Sequence, residues 1–496
     1  MPAAWGDLLL EWPRSAAERK ALARGAMRRL RDWGALGVLA YARGRHRVDD
    51  QAAAYSRWVG LHRLDGRALD DLRAGVDRLP YRPLISVITP VHNTAPEFLT
   101  ACLESVRTQA YANWQHCIAD DGSTAPGTQG VLHRYSTDPR VRLVTLEQSQ
   151  HVSAATNAAL SLATGEFVAL LDHDDELAPE ALAEVVRYLN AHPDADVIYS
   201  DEDKLDEAGA RCDPYFKPDW SPELFLSYMY TCHLMVVRRQ LLEDTGGFRR
   251  GLEGAQDYDL LLRLMEKTDR IHHIPRILYH WRKSATSTAL AGAAKPWALD
   301  AGRRALEDYG RRAGLDAEVV SGPHPGMYRL RRAIRGEPLV SIVIPTTGRP
   351  HGKRGDLLAR CLQSLGKTAW RRFEVILATD DGQISEAARE ALDRLPHSVI
   401  DYPSRATFNF SHKVNEAVRQ SRGEHVVLFN DDLEVTSSEW LTAMLEHSQN
   451  PQVGAVGAKL VYPDGRLQHV GMLIGVCGLA AHAFHRSPAG SNGYAG

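Results

Sequence analysis

PLISVITP, from Pro83 to Pro90, returns in the second half of the chain as PLVSIVIP, from Pro338 to Pro345. The echo continues in the same order. NWQHCIADDG (113–122) returns as FEVILATDDG (373–382), GEFVALLDHDD (165–175) as GEHVVLFNDD (423–432), and Asn157 as Asn415, at an offset near 258 residues. Ordered matches at a nearly constant offset mean two copies of one folding unit. Each copy alternates short β-branched runs with helix-like stretches, as in VRLVTL (141–146) and DVIYSD (196–201), and this alternation predicts parallel strands joined by crossover helices.

Working outward, 496 residues exceed what one core organises. The predicted layout is a basic helical segment over 1–82, a first α/β domain over 83–290, an Arg- and Ala-rich helical connector over 291–336, and a second domain over 337–496. The segment AERKALARGAMRRLRDWGALGVLAYARGRHR (17–47) reads first as a solvated helix packed on the body, and second as a contact with an anionic membrane surface. A net charge of −3 gives no polyanion signal, so nucleic acid is not an expected partner. Six scattered cysteines without a CxxC pair read as reduced core thiols. With no leader-like or spanning apolar run, the expected location is cytoplasmic, with peripheral contact at the inner face of the membrane as the second reading.

The chemistry is expected where acidic residues end strands, because the carboxyl edge of a parallel sheet is where open α/β folds bind ligands. Asp172 and Asp174, two apart on a segment read as extended, would leave the same face and share a cation. Oxygen donors of this kind suit Mg²⁺ or Mn²⁺. Asp120 and Asp121, ahead of Gly122 and Ser123, end an earlier strand and could accept from a base or ribose. Asp257 opens an amphipathic stretch (Tyr258, Leu261, Leu262, Met265), which alone would read as helix-dipole matching.

The blocks PVHN (90–93), DDGS (120–123), LLDHDDEL (170–177), YSDEDK (199–204), FKPDWSPELF (216–225), EGAQDYDLLLR (253–263) and YHWR (279–282) together resemble family 2 glycosyltransferases of the GT-A fold. The likeness is to tandem-domain members of bacterial surface polysaccharide assembly, O-antigen or capsule, and spans about 84–490. It implies two Rossmann-like GT-A domains, each with a mixed, mostly parallel sheet. It also implies a nucleotide-diphosphate sugar donor contacted by Pro90, Asn93, Asp120, Asp121 and Asp172, a metal at Asp174 and His280, and Asp257 as the base in an inverting transfer. The acceptor would be a glycan or a lipid-linked oligosaccharide. Trp220, Tyr228 and Tyr230 could stack on sugars, and Lys204 or Lys217 could meet the diphosphate, although core packing and solvation are the plainer readings.

The second copy departs from this pattern. Asn430 stands where the first has Asp172, and no counterpart of EGAQDYDLLLR precedes Gly496. Asp381, Asn430 and Asp432 remain candidates for donor or metal binding, with His469 and His482 as further polar groups. The expectation is an active first domain, an inactive or incomplete second one, and a chain shortened from something longer. Two other readings compete with a transferase. A sugar nucleotidyltransferase would need a glycine-bearing phosphate loop, which PVHNTAPEF (90–98) lacks; a glycan- or nucleotide-sugar-binding scaffold on a degenerate fold suits the second copy better than the first.

Overall fold

The computed structural model describes residues 49–283, 296–348, 355–380, 383–402, 409–475 and 479–490. In the first copy, β1 (Ile85–Val91), β2 (Trp114–Asp120), β3 (Val141–Thr145) and β4 (Phe167–Leu170) run parallel in the order β3-β2-β1-β4. β1 and β2 are buried along their whole length, which is why they read as continuous apolar runs instead of alternating ones. Ile85 and Val87 join a core with Cys102, Val106 and Val185 on one face; Ile88 joins Ala155, Ala159 and Leu261 on the other. Helices thus cover both faces of the sheet.

After β4 the direction changes. β5 (Glu176–Leu177), β6 (Val197–Leu205), β7 (Arg211–Tyr215), β8 (Met235–Arg238) and β9 (Ile271–Arg282) extend the sheet through β8, β6 and β9 to β5, with β7 on β6. β8 is antiparallel to both β4 and β6, whereas β9 runs parallel to β6. The result is one mixed, mostly parallel sheet, as the GT-A expectation has it.

The region expected as a helical connector is a helix, Pro296–Arg312, followed by an antiparallel ribbon of β10 (Ala317–Ser321) and β11 (Tyr328–Arg332). Ala301, Ala305, Leu306, Val319 and Leu330 are buried in the first domain's core, so this segment is part of that body and not only a tether. The alternating, half-exposed pattern of β11 marks a ribbon lying on a surface.

In the second copy, β12 (Val340–Pro345), β13 (Phe373–Thr379), β14 (His397–Asp401) and β15 (His425–Leu428) repeat the parallel order β14-β13-β12-β15. One glycine shows how closely the two agree. A Cβ on Gly165 would lie 2.6 Å from Leu84 O, and one on Gly423 would lie 2.6 Å from Ser341 N, so both copies need glycine where the fourth strand begins against the first. The two bodies meet at the ribbon: Arg332 pairs with Glu223 at 2.8 Å, Arg329 with Glu446 at 2.7 Å, and His447 lies 3.1 Å from Glu223.

At the amino-terminal side, helices Asp49–His62 and Gly66–Val76 pack on the first domain, burying Tyr55 and Val76. The basic stretch in which a membrane contact was expected lies almost wholly outside the described residues. Among those described, no helix is long and apolar enough to cross a membrane.

Candidate active site

The rim at the carboxyl ends of β1 and β2 is built by turns. Gly122 holds φ +65, and a Cβ there would lie 2.8 Å from the backbone of Gln148 and Ser149, so the DDGS turn can pass only with glycine. Asp120 accepts from Ser123 N at 3.0 Å, an Asx-type closure of that turn. Asp121 is buried and accepts from Gln150 N and Ser149 Oγ, both at 2.7 Å. Asn93, at φ 47, accepts from Thr124 N and Ala125 N at 2.9 Å and staples the entry of the helix Pro126–Tyr135. Pro90 is buried within β1 opposite Ala119. The expected donor-binding residues therefore gather at one edge, and in the structure their first task is to shape it.

The DHDD segment differs from its sequence reading. It is not extended, because Asp175 N donates to Asp172 O at 3.3 Å and closes a turn. In a turn, positions three apart approach each other, while the period-2 rule for strands no longer holds. Carboxylate atoms of Asp172 and Asp175 and a ring nitrogen of His233 accordingly lie within 4.8 Å of one another. Asp174, expected at the metal, stands beside this group, with its carboxylate 3.8 Å from His173 Nδ1. Burial, with the negative charge of Asp172, pushes the Asp174 carboxyl above the usual range against the pull of His173.

β9 holds the turn in place. Tyr279 Oη donates to Asp175 Oδ2 at 2.6 Å, Arg282 N to Asp175 Oδ1 at 2.7 Å, and Arg282 Nε to Asp174 O at 2.9 Å. Asp175 is fully buried, and burial together with Asp172 and Asp174 raises its carboxyl well above the usual carboxylate range. Three crowded carboxylates with raised pKa values form a site short of positive charge.

His280, the other expected metal residue, is buried, and its Nδ1 sits 2.5 Å from Asp203 Oδ1. It is not among the converging ligand atoms. Asp203 also accepts from Tyr55 Oη of the amino-terminal helix and from Arg211 Nε, both at 2.5 Å. His233 fills the expected place instead, its ring stacked on Tyr279 with centroids 4.5 Å apart. Sequence reasoning passed over it; the one signal was a polar residue directly ahead of the LMVV run (234–237).

Asp257 lies in the first turn of the helix Gln256–Leu264, and its Oδ1 accepts from Tyr258 N at 2.8 Å. Burial raises its carboxyl above the ordinary value, while His233 lowers it and Asp172 raises it in turn. That electrostatic coupling ties Asp257 to the same group of residues, from a helix some 85 positions after the turn.

Other candidates fall away from the chemistry. Lys217 is buried and ion-paired with Glu202, and Lys204 lies over the Trp281 ring at 5.2 Å. Tyr230 is buried, Tyr228 bonds Tyr215, and Trp220 packs on Phe225, so these aromatics belong to the core. In the second copy, Asn430 and Asp432 are exposed, and Asp381 lies outside the described residues. Thr346 Oγ1 donates to Asp431 at 2.6 Å, and Lys413 Nζ to Asp380 at 2.7 Å.

Comparison with known proteins adds the following. The chain is 47% identical over 426 residues to the uncharacterized protein y4gI of Sinorhizobium fredii, covering 84% of this chain and 46% of that one. It is 42% identical over 421 residues to the O-antigen biosynthesis protein RfbC of Myxococcus xanthus, covering 84% of this chain and 32% of that one. The chain thus spans less than half the length of either relative. Among solved structures, TarS of S. aureus in complex with UDP-GlcNAc aligns with a TM-score of 0.38 at 22% identity, over 45% of this chain and 65% of that one. Residues 86–246 and 341–474 both match the glycosyl transferase family 2 domain, which amounts to more than half of the chain, and the protein belongs to that family.

Proposed function

We propose that residues 83–290 are a catalytic domain that moves a sugar from a nucleoside-diphosphate donor to a hydroxyl of a glycan or lipid-linked acceptor, with inversion, on the cytoplasmic side of cell-surface polysaccharide assembly. The observation that carries this reading is the meeting of Asp172, Asp175 and His233 with Asp257 in their electrostatic field, beside the rim of β1 and β2. The likeness to the O-antigen biosynthesis protein supports the polysaccharide setting.

Two carboxylates and an imidazole, crowded and short of positive charge, fit Mn²⁺ or Mg²⁺. Asp172, Asp175 and His233 would hold the ion, with Asp174 adjacent. A divalent cation there neutralises charge on the departing diphosphate. Tyr279 and Arg282 keep the turn in shape through hydrogen bonds to Asp175 and to the carbonyl of Asp174. Asn93 and Asp121 form the ledge for the nucleoside, and their remaining acceptor capacity suits ribose and base donors.

Asp257 would accept the proton of the attacking hydroxyl. Its raised pKa suits a general base, since a stronger conjugate acid–base match lies nearer the working pH. A base on one face of the sugar with the diphosphate leaving from the other inverts the anomeric centre. For the second copy a binding module is the better reading, because Asn430 replaces Asp172 and Leu433 takes the place of Asp175 at the same offset. The test is a panel of UDP-, GDP- and dTDP-sugars with Mn²⁺, read by thermal shift and by nucleotide release. A protein that neither binds nor turns over any of them refutes the transferase reading.

A further inference from the structure

We infer that the buried Lys217–Glu202 pair is a positioning device for His233 and thereby sets the affinity of the first domain for a divalent cation. The inference rests on His233 being a metal ligand as proposed above. The Lys217 side chain has no exposed surface, and that of Glu202 is 4% exposed. Lys217 Nζ lies 2.9 Å from Glu202 Oε2, donates to Thr231 O at 2.7 Å, and donates to the carbonyl of His233. An ammonium has three hydrogens, and all three are engaged.

Glu202 completes the grip, because its Oε2 also accepts from the backbone N–H of His233 at 2.9 Å. One ion pair therefore holds both main-chain polar groups of the residue whose ring faces Asp172 and Asp175. The pair is fixed in its turn, since Lys217 N donates to Asp201 Oδ1 at 2.7 Å and Glu202 sits within β6. From the ring, the path runs to Tyr279, stacked on His233, and on to Asp175.

Energetics argue for positioning over simple stabilisation. Desolvating two charges offsets most of their attraction, so a buried pair is a weak source of stability, and replacing both partners by neutral groups of similar shape is often tolerated. Removing only one leaves an uncompensated buried charge and is costly. What this pair supplies and a neutral pair cannot is two opposed anchors on a single loop residue. Groups that orient a metal's ligands typically govern affinity by about 10–100-fold.

The experiment uses the full chain and Mn²⁺ alone, with binding read by electron paramagnetic resonance and by calorimetry, and folding read by circular dichroism. The double variant Lys217→Met/Glu202→Gln removes both charges at nearly constant shape. It is expected to keep the wild-type spectrum and bind Mn²⁺ at least about 10-fold more weakly. A folded double variant with Mn²⁺ affinity within twofold of wild type overturns the inference. If that variant does not fold, Lys217→Arg, which keeps the charge and changes the reach, decides by the same criterion. His233→Ala separates the two ideas. Unchanged Mn²⁺ affinity in His233→Ala refutes the metal reading itself, whereas weakened binding there beside normal binding in the double variant refutes only the positioning role.

Discussion

The two copies share their first four strands and part company at the fourth. In the first, β4 is continued by β8, β6 and β9, and β9 comes back to hold the DHDD turn with Tyr279 and Arg282. In the second, β15 is the edge of a four-stranded sheet among the described residues, with Val426 and Leu428 exposed. Its acidic turn is tied through Thr346 to Asp431. The repeated half of this fold is thus a nucleotide-binding frame, and the proposed chemistry comes from the half that is not repeated: His233 ahead of β8, Asp257 on the following helix, and the β9 clasp.

The sharpest way to break that contrast is to remove a carboxylate from each copy. Asp257→Asn in the first should lower turnover by about 10²–10⁴-fold, the usual worth of a general base, while donor affinity stays near wild type. Asp432→Asn in the second should leave turnover within about twofold, in line with an exposed surface substitution. Initial rates of nucleotide release report both. Equal losses from the two variants would mean that both copies work.

A smaller effect tests what distinguishes the acidic turns. Asp172→Asn gives the first copy the residue that the second already has at Asn430, and should weaken Mn²⁺ binding by about 10–100-fold. The partner experiment, Asn430→Asp, should gain little, because no histidine and no second carboxylate of the described residues converges there. Calorimetric titration of both variants with Mn²⁺ decides; strong Mn²⁺ binding created by Asn430→Asp would show that the frame alone suffices.

How much of this could be read from the sequence follows the same division. The strands, the tandem repeat and the acidic ends of β2 and β4 were legible because continuous β-branched runs and a fixed offset are local signals. The pairing of Asp172 with Asp175 was not, since a turn in place of an extended segment exchanges the i,i+2 relation for i,i+3. His233 and the Lys217–Glu202 pair escaped because their roles arise from β6, β7 and β8 being brought together across the sheet. Lys217 looked like a solvated lysine, yet it is one of the most enclosed charges in the fold. His280 looked like a ligand and is paired with Asp203. The ribbon hidden in the expected helical connector has five-residue strands rich in arginine, too short and too charged to announce themselves.

Proton chemistry gives a further point of contrast. Burial raises the pKa of Asp257 above the ordinary aspartate value. A base must be deprotonated to act, so kcat/KM should fall about tenfold per pH unit once pH drops below that raised value, and the limb should sit higher than for an unperturbed aspartate. The sign for stability is the opposite. Because the folded-state pKa exceeds the unfolded one, the stabilising contribution of this group is complete below the unfolded value and is lost as pH rises through the folded value. In the second copy no such group is described, so an acid limb that survives Asp257→Asn would have to come from elsewhere.

The mildest prediction compares one residue with its own repeat. Val168 in β4 is fully buried, and Val426, at the same place in β15, is 39% exposed. Truncating a buried valine removes two methyl groups from a packed core with a strand on each side, a loss of about 1–2.5 kcal/mol. The same truncation at Val426 removes surface that water already reaches, and should stay within about 0.5 kcal/mol. Because the chain has two bodies that need not unfold together, the proper measurement is resistance to proteolysis followed fragment by fragment, and not a single melting midpoint. Val168→Ala should expose the first domain to cleavage sooner while Val426→Ala leaves the second unchanged. Equal sensitivity would mean that the β15 edge is covered in solution, and that the difference between the copies at this edge is smaller than their sheets imply.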